Sequence, residues 1–408
     1  MKILFVALSV PFPPNRGQRV RNYLLLRALH MEGHEVTVLA FGERGDLEHP
    51  ERHLSEFCAE LSIIEPPGGA GGIGYTGRLR ALLAGLPYGA WRLRSEAMQS
   101  AVSNQLVRQH FDFILCDDVY QIGNLPPHCP VPVVLNKHDI TYEIVGRFLE
   151  HDRNPLKSIY GRLEYRRLRR FETRACGAAA AVWACSERDR RILANDNPSV
   201  PFAVVPNVID VDGYQPAETD DGRTIVYVGA MDWLPNRDAV QFFVSAVMPE
   251  LRRLAPDVSF VVAGREPPPD FRAQFEQMPG VSFTGTLPDL RPLIAQAAVC
   301  VVPLRIGSGT RLKILEAGAM AKAVVSTTIG AEGLTLKDGK EIVIANRPKE
   351  MAQAIADLLR DPRRRLEIGR AARRRVAAEY GLPALRCSLR EALPLSGDTP
   401  RLRDVVSG

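Results

Sequence analysis

Long apolar runs are missing from this 408-residue chain. None reaches the roughly 18 residues needed to cross a bilayer. The apolar start, Met1 to Val10, is short, lacks a small-residue cleavage site and runs straight into Pro11-Phe12-Pro13-Pro14. It reads as a buried first strand and not as a signal peptide, which makes the cytoplasm the expected location. Cysteine is sparse: there are seven, with no CxxC pair. That argues against structural zinc and against a disulfide framework, and most of the seven read as small core residues in a reducing compartment. Charge of one sign is also lacking. The balance of 52 Lys+Arg against 47 Asp+Glu leaves only +5, too little to indicate nucleic acid and compatible with a small anion or a membrane surface. No HExxH motif and no carboxylate-rich cluster occurs, so no metal is expected. No GxGxxG follows a strand, which counts against an NAD-dependent dehydrogenase.

What is present is an alternation of short β-rich runs with longer helical stretches, the pattern of parallel α/β layers. Strands are expected at Lys2–Leu8, Glu35–Ala40, Leu61–Ile64, Phe113–Cys116, Val131–Leu135 and Ala180–Cys185, with helices at about Arg19–Met31, Arg92–Gln109 and Pro155–Ala175. The series then restarts. Strands are expected at Thr224–Val228, Val258–Ala263, Val281–Thr284, Val299–Pro303, Ala323–Ser326 and Glu341–Ala345. Helices are expected at Asp238–Leu254, Thr310–Met320, Lys349–Leu359 and Pro362–Tyr380. A polar segment from Pro206 to Arg223 separates the series and reads as a linker. The expected domains are therefore 1–205 and 206–380, with a terminal helix at about 381–395 packing back on the first and a frayed tail from about Ser396.

The densest chemistry runs from Pro303 to Gly318, directly after a strand and into a helix. Gly307 and Gly309 allow close backbone approach to a ligand, with Ser308 and Thr310 beside them. The first amides of the helix have no internal partners and suit phosphate oxygens. Arg311 and Lys313 put positive charge at the end of the helix dipole that disfavours it, so an anionic ligand is expected there. Glu316, about two turns in, can accept hydrogen bonds from a vicinal diol such as a ribose.

Together with Val205-Pro206-Asn207-Val208-Ile209-Asp210, Val226-Tyr227-Val228-Gly229, Val262-Ala263-Gly264 and Phe283-Thr284-Gly285, this loop resembles family 4 glycosyltransferases of the GT-B fold. The resemblance covers nearly the whole chain. It implies two Rossmann-like, doubly wound parallel-sheet domains facing a central cleft. It also implies a retaining, metal-independent transfer from a nucleoside diphosphate sugar bound to the C-terminal domain, and an acceptor on the N-terminal one. Gly229, Gly264, Gly285, Thr286 and Leu287 would join Gly307–Thr310 and Glu316 at the donor, with Lys313 and Arg311 on the diphosphate. No cofactor is implied beyond the donor itself. Two positions depart from the family. Ser308 stands where the first of two glutamates spaced by eight residues is usual, and the loop from Gly229 to Arg237 lacks the Arg often found beside the glycine. A branch with a GSGTRLK-type loop shares both changes.

Three further features complete the reading. Arg16, Gly17 and Arg19 follow the first strand, at the cleft edge of such sheets, where the family contacts donor phosphate or acceptor. His138 and Asp139 are delivered by the strand ending at Leu135; a histidine there can polarise a sugar hydroxyl, and in the family a histidine near this place contacts the transferred sugar. The basic stretch from Arg153 to Arg174 reads as a solvated helix face or as a contact with anionic lipid, not as a nucleic-acid site. The expected partners are a nucleotide-sugar donor and a glycan or lipid-linked acceptor, with acceptor choice resting on loops such as Gly68–Arg80. A sugar-nucleotide epimerase or a non-catalytic nucleotide-sugar binder fits the same scaffold.

Overall fold

The computed structural model describes residues 1–42, 50–67, 75–151, 155–216, 219–265 and 267–393. Much of the Gly68–Arg80 loop, Arg153 and the tail from Ser396 lie outside them. The chain divides into two compact units, Met1–Asn207 with the chain from Leu385 onward, and Val208–Ala384.

The N-terminal unit holds seven parallel strands: β1 (Lys2–Ala7), β2 (Glu35–Phe41), β3 (Glu60–Ile64), β4 (Phe113–Asp117), β5 (Val133–Asn136), β6 (Ala181–Ala184) and β7 (Phe202–Val204), in the order β3-β2-β1-β4-β5-β6-β7. Parallel sheets are covered on both faces, so their strands read as unbroken apolar runs; Ile3, Leu4, Phe5, Val6 and Ala7 are all fully buried. The helix expected from Arg19 begins at Gly17. The three-residue β7 has too little sequence to show periodicity and was not expected. At the other end of the chain, Arg386 Nε donates to Glu32 at 2.6 Å within this unit.

The second unit repeats the plan with six parallel strands: β8 (Thr224–Val228), β9 (Ser259–Ala263), β10 (Val281–Gly285), β11 (Val299–Val302), β12 (Val324–Ser326) and β13 (Val343–Ile344), in the order β10-β9-β8-β11-β12-β13. The helix expected at Asp238–Leu254 is broken. It runs as Leu234–Phe242, one wide turn at Phe243–Val247, then Met248–Leu254. Pro249 lacks an N–H and its ring displaces the carbonyl one turn back, which the wide turn absorbs. The segment read as a polar linker is partly core. Val208 and Ile209 are buried, and the Ile209 N–H donates to the Tyr380 carbonyl at 3.0 Å.

In each sheet the strand order reverses direction beside the first strand, between β1 and β4 and between β8 and β11. Crossover helices leave on opposite faces there, which opens a crevice at the carboxyl ends of the two strands. These two places position the candidate residues.

Candidate functional site

At the C-terminal switch point, β11 feeds the loop 303–311, which passes into the helix Leu312–Ala319. The helix starts two residues later than expected. Thr310 therefore lies in the loop, Arg311 occupies the cap position in an extended conformation, and Glu316 stands little more than one turn in. Gly307 has φ +147°, a backbone conformation that residues with side chains rarely adopt, and the Arg311 guanidinium lies against its Cα. From the cap position Arg311 Nη1 donates to the carbonyls of Ser308 and Gly309, the latter at 2.9 Å. Ser308 and Thr310 are both buried. Arg305 pins the loop, its Nε donating to Asp238 Oδ2 at 3.0 Å while its guanidinium lies over the Phe242 ring.

Lys313 reaches from this helix across to the end of β8. Its Nζ donates to Tyr227 Oη at 3.0 Å and to Asn236 Oδ1 at 3.1 Å, and sits 4.2 Å from the Tyr227 ring centre. A β-carbon on Gly229 would stand 3.0 Å from the same Nζ. Lys313 thus brings a positive charge beside Gly229, where the sequence has no Arg. Neither partner of Lys313 is a carboxylate. Burial, with the nearby Arg311 charge, pushes its pKa down to about 7 against the opposing pull of Glu316. Burial raises the Glu316 pKa, and its Oε1 accepts from Tyr214 Oη at 3.2 Å. Tyr214, placed inside the expected linker, was missed in the sequence, as was the Tyr227–Asn236 pair, bonded at 2.7 Å. An aromatic following the Val208-Ile209 pair was the available signal.

The three expected donor glycines line up along the same sheet edge. Gly229 N–H donates to Ala263 O at 2.8 Å, and Gly264 N–H to Gly285 O at 3.2 Å. Gly264 has φ +140°, and a side chain there would strike the Gly229 carbonyl. Gly285 ends β10, which is separated from β8 by β9, and exposed Thr286 and half-buried Leu287 follow it.

At the N-terminal switch point the geometry centres on a residue the sequence reading passed over. Asp117 ends β4 with its carboxylate wholly buried. His138 Nε2 lies 2.5 Å from its Oδ1. Beside them Lys137 is enclosed by Asp118 at 2.9 Å and Glu172 at 2.8 Å. Burial alone would lower the Lys137 pKa, but Asp118, Glu172 and Asp139 outweigh it and raise it. Asp139 is pushed up to about 6 by burial and by Asp118. Of the first-loop residues, Arg16 and Gly17 are exposed and Arg19 half-buried. Gly17 is the first helical residue and not a loop glycine. It is Gln18 that reaches the Asp117 carboxylate, at 2.9 Å.

Among the described residues no group of His, Cys, Asp or Glu has the arrangement of a metal site. What the two sites offer is a pair of cations at a helix N-terminus in one unit, and an imidazole held against a buried carboxylate in the other.

Comparison with known proteins accords with this layout. Residues 15–212 match Glycosyltransferase Family 4, and residues 222–361 match Glycosyl transferases group 1. The chain is 23% identical over 230 residues to one component of the phosphatidylinositol N-acetylglucosaminyltransferase of Arabidopsis thaliana, a match spanning 54% of this chain but only 50% of that protein. It is 21% identical over 354 residues to an uncharacterized 44.6 kDa protein in the cps region of Klebsiella pneumoniae, covering 85% of this chain and 87% of the other. Sucrose-phosphate synthase from Thermosynechococcus elongatus superposes with a TM-score of 0.71 at 17% identity, covering 96% of this chain and 98% of that one. Anabaena Alr3699/HepE, solved in complex with UDP and glucose, superposes with a TM-score of 0.64 at 14% identity, covering 96% and 99%. With matched glycosyltransferase domains in both halves and a Rossmann-like sheet in each, the chain is a glycosyltransferase of the GT-B fold, family 4 in its N-terminal part and group 1 in its C-terminal part.

Proposed function

We propose that the protein transfers a sugar, with retention of anomeric configuration, from a nucleoside diphosphate sugar to a hydroxyl of a glycan or lipid-linked acceptor in cell-surface polysaccharide or glycolipid assembly. The observation that carries this reading is Lys313, a desolvated cation at the C-terminal switch point whose bonded partners are neutral. A diphosphate beside the amides of Leu312 and Lys313 would provide the missing negative charge. As the glycosidic bond breaks, charge grows on the leaving diphosphate, and Lys313 and Arg311 would stabilise it more than they stabilise the bound donor. Glu316, steadied by Tyr214, would hold the ribose. Gly229, Gly264, Gly285, Thr286 and Leu287 would shape the rest of the donor site. Arg16, Arg19, His138 and Asp139 would serve the acceptor and the transferred sugar. HepE, solved with UDP and glucose, and the Klebsiella relative in the cps region support the donor class and the setting. A thermal-shift screen of UDP, GDP, ADP and TDP with their sugars tests the reading, since a ligand of the folded state raises stability with its excess over Kd. Stabilisation by none of them would refute it.

The setting we propose is the cytoplasm, at the inner face of the membrane. No helix among the described residues is long and apolar enough to cross a bilayer, but one surface suits peripheral contact. The helix Tyr75–Leu83 packs on the helix Pro155–Gly177, where Arg167 Nη2 donates to Leu82 O at 3.2 Å. Leu79, Leu83, Ile159 and Leu163 are all exposed there, Leu83 at 81%. Arg80 on the shorter helix and Arg162, Arg166 and Arg170 on the longer one are exposed as well. The carboxylates of the longer helix turn inward, Glu164 to the Tyr88 N–H and Glu172 to Lys137. Two helices that both expose aliphatic side chains and arginines fit an anionic headgroup layer. Sedimentation with vesicles rich in phosphatidylglycerol, and not with pure phosphatidylcholine, is the expected result. Equal behaviour with both would remove this contact.

A further inference from the structure

The hydrogen-bond chain around Asp117 fixes proton positions that no single contact fixes. Its starting point is Arg21, buried in the helix Gly17–Met31. A guanidinium only donates. Its Nε and Nη2 reach the same side-chain atom of Asn136, at 3.1 and 2.7 Å, so that atom is the amide oxygen. The Asn136 NH₂ therefore faces the other way, toward Asn22 at 3.3 Å and Asp117 Oδ1 at 3.4 Å. Asn22 must present its oxygen to Asn136, and so its own NH₂ points at Asp117 Oδ2, 2.8 Å away. Oδ2 also accepts from the Leu8 N–H and from Gln18 Nε2, both at 2.9 Å. Every group around the carboxyl other than His138 thus donates, so a proton on Oδ2 would face another proton, and His138 is the one neighbour among them that could take a proton from Oδ1. Burial alone would raise the Asp117 pKa, but the charge of a protonated His138 and the hydrogen bonds from His138, the Leu8 N–H and Gln18 outweigh it and hold it below the usual carboxylate value.

An ionised Asp117 requires a donor from His138, 2.5 Å from Oδ1. We infer that Asp117 is a positioning residue that holds neutral His138 in the Nε2–H form, so that Nδ1 is presented as an acceptor for a substrate hydroxyl. The ring is held from its backbone side as well, since Cys185 Sγ donates to the His138 carbonyl at 3.1 Å. Asp139 is a further charged neighbour of the ring, and Lys137, adjacent in sequence, is already committed to two carboxylates. The ligand this site takes is a neutral hydroxyl-bearing molecule, because an Nδ1 lone pair beside a buried carboxylate repels an anion. Function at this place rests on the transferase reading above; the tautomer does not.

The test uses the full-length protein labelled with ¹⁵N-histidine. Long-range ¹H–¹⁵N spectra distinguish protonated from unprotonated ring nitrogens, and the His138 signals are those lost in His138→Gln. The expected result is a His138 ring with a protonated Nε2 and an unprotonated Nδ1 at alkaline pH, shifting toward a tautomer mixture in Asp117→Asn. A wild-type ring protonated on Nδ1, or already a mixture, overturns the inference whether or not any sugar is transferred, and it does so even where Asp117→Asn fails to fold. Gln18→Ala, which touches the other carboxylate oxygen, should leave the tautomer unchanged. Once a donor and acceptor are found, Asp117→Asn should lower kcat by about 10–100-fold, as loss of an orienting partner typically does, with donor KM little altered. Added to His138→Gln it should lower kcat no further. Additive losses would overturn the coupling of the two residues.

Discussion

The two switch points occupy equivalent places in equivalent sheets, yet they handle charge in opposite ways. At the N-terminal switch point the buried charges of Lys137 and Asp117 are matched. Lys137 sits between Asp118 and Glu172, and Asp117 is surrounded by donors. In the C-terminal unit Lys313 rests on a phenol and an amide, and its ammonium is held near the edge of ionisation. A matched cluster is complete without a ligand and serves to hold geometry. An under-compensated cation gains most when an anion arrives. The same fold thus yields one site suited to orienting a neutral hydroxyl and one suited to a diphosphate.

The largest effect should come from breaking a matched charge. Lys137→Met leaves Asp118 and Glu172 buried without their cation and should lower unfolding free energy by about 3–5 kcal/mol, read from the urea midpoint. Lys313→Met removes a cation that no carboxylate contacts in the same way, and Tyr227 and Asn236 remain bonded to each other. Its stability should stay within about 0.5 kcal/mol of wild type or rise. Similar losses in both variants would erase the contrast.

Catalysis should sort the residues differently. Lys313→Ala should lower kcat on the order of 10²–10³, as loss of one oxyanion-stabilising contact does, with a smaller change in donor affinity. Glu316→Ala should weaken donor binding at least as much as it lowers kcat, since ribose charge hardly changes in the reaction. Tyr214→Phe removes one neutral hydrogen bond to Glu316 and should cost about 0.5–1.5 kcal/mol of donor affinity. Steady-state rates and nucleotide Kd values check all three; near-wild-type constants for Lys313→Ala would break the comparison. The smallest effect is expected from chelation. If Lys313 and Arg311 neutralise the diphosphate, dialysis against EDTA should leave the rate unchanged, and restoration only by Mg²⁺ or Mn²⁺ would contradict that.

The sheets were legible because buried parallel strands are unbroken apolar runs, and their ends were marked by Gly229, Gly264 and Gly285. The Gly307–Glu316 loop was legible because backbone freedom, charge and an acid fall within one short segment. The partners of these residues were not. Gln18 and Asp117 are 99 residues apart, Tyr214 and Glu316 are 102 apart, and Lys313 and Tyr227 are 86 apart. Only the fold brings them together. Asp117 was overlooked although a carboxylate pair closing an apolar strand, Phe-Ile-Leu-Cys-Asp117-Asp118, is a signal in itself. The helix break at Phe243–Val247 was hidden because apolar periodicity continues through it, and only Pro249 marked it.

The central claim is that a diphosphate binds against Lys313, and proton linkage tests it most directly. With its pKa pushed down to about 7, Lys313 is largely neutral at pH 8 in the free protein. A diphosphate beside it favours the ammonium and raises that pKa, so binding must draw a proton from solution. The diphosphate of a nucleoside diphosphate sugar, esterified at both ends, is fully ionised at this pH and takes up no proton of its own. Calorimetry at pH 8, in two buffers of different ionisation enthalpy, should therefore show uptake of a substantial fraction of a proton with the wild type. Affinity should weaken as pH rises from 7 to 9, and uptake should vanish in Lys313→Met. Binding with no proton uptake in the wild type, or with the same uptake and Kd in Lys313→Met, would contradict the account.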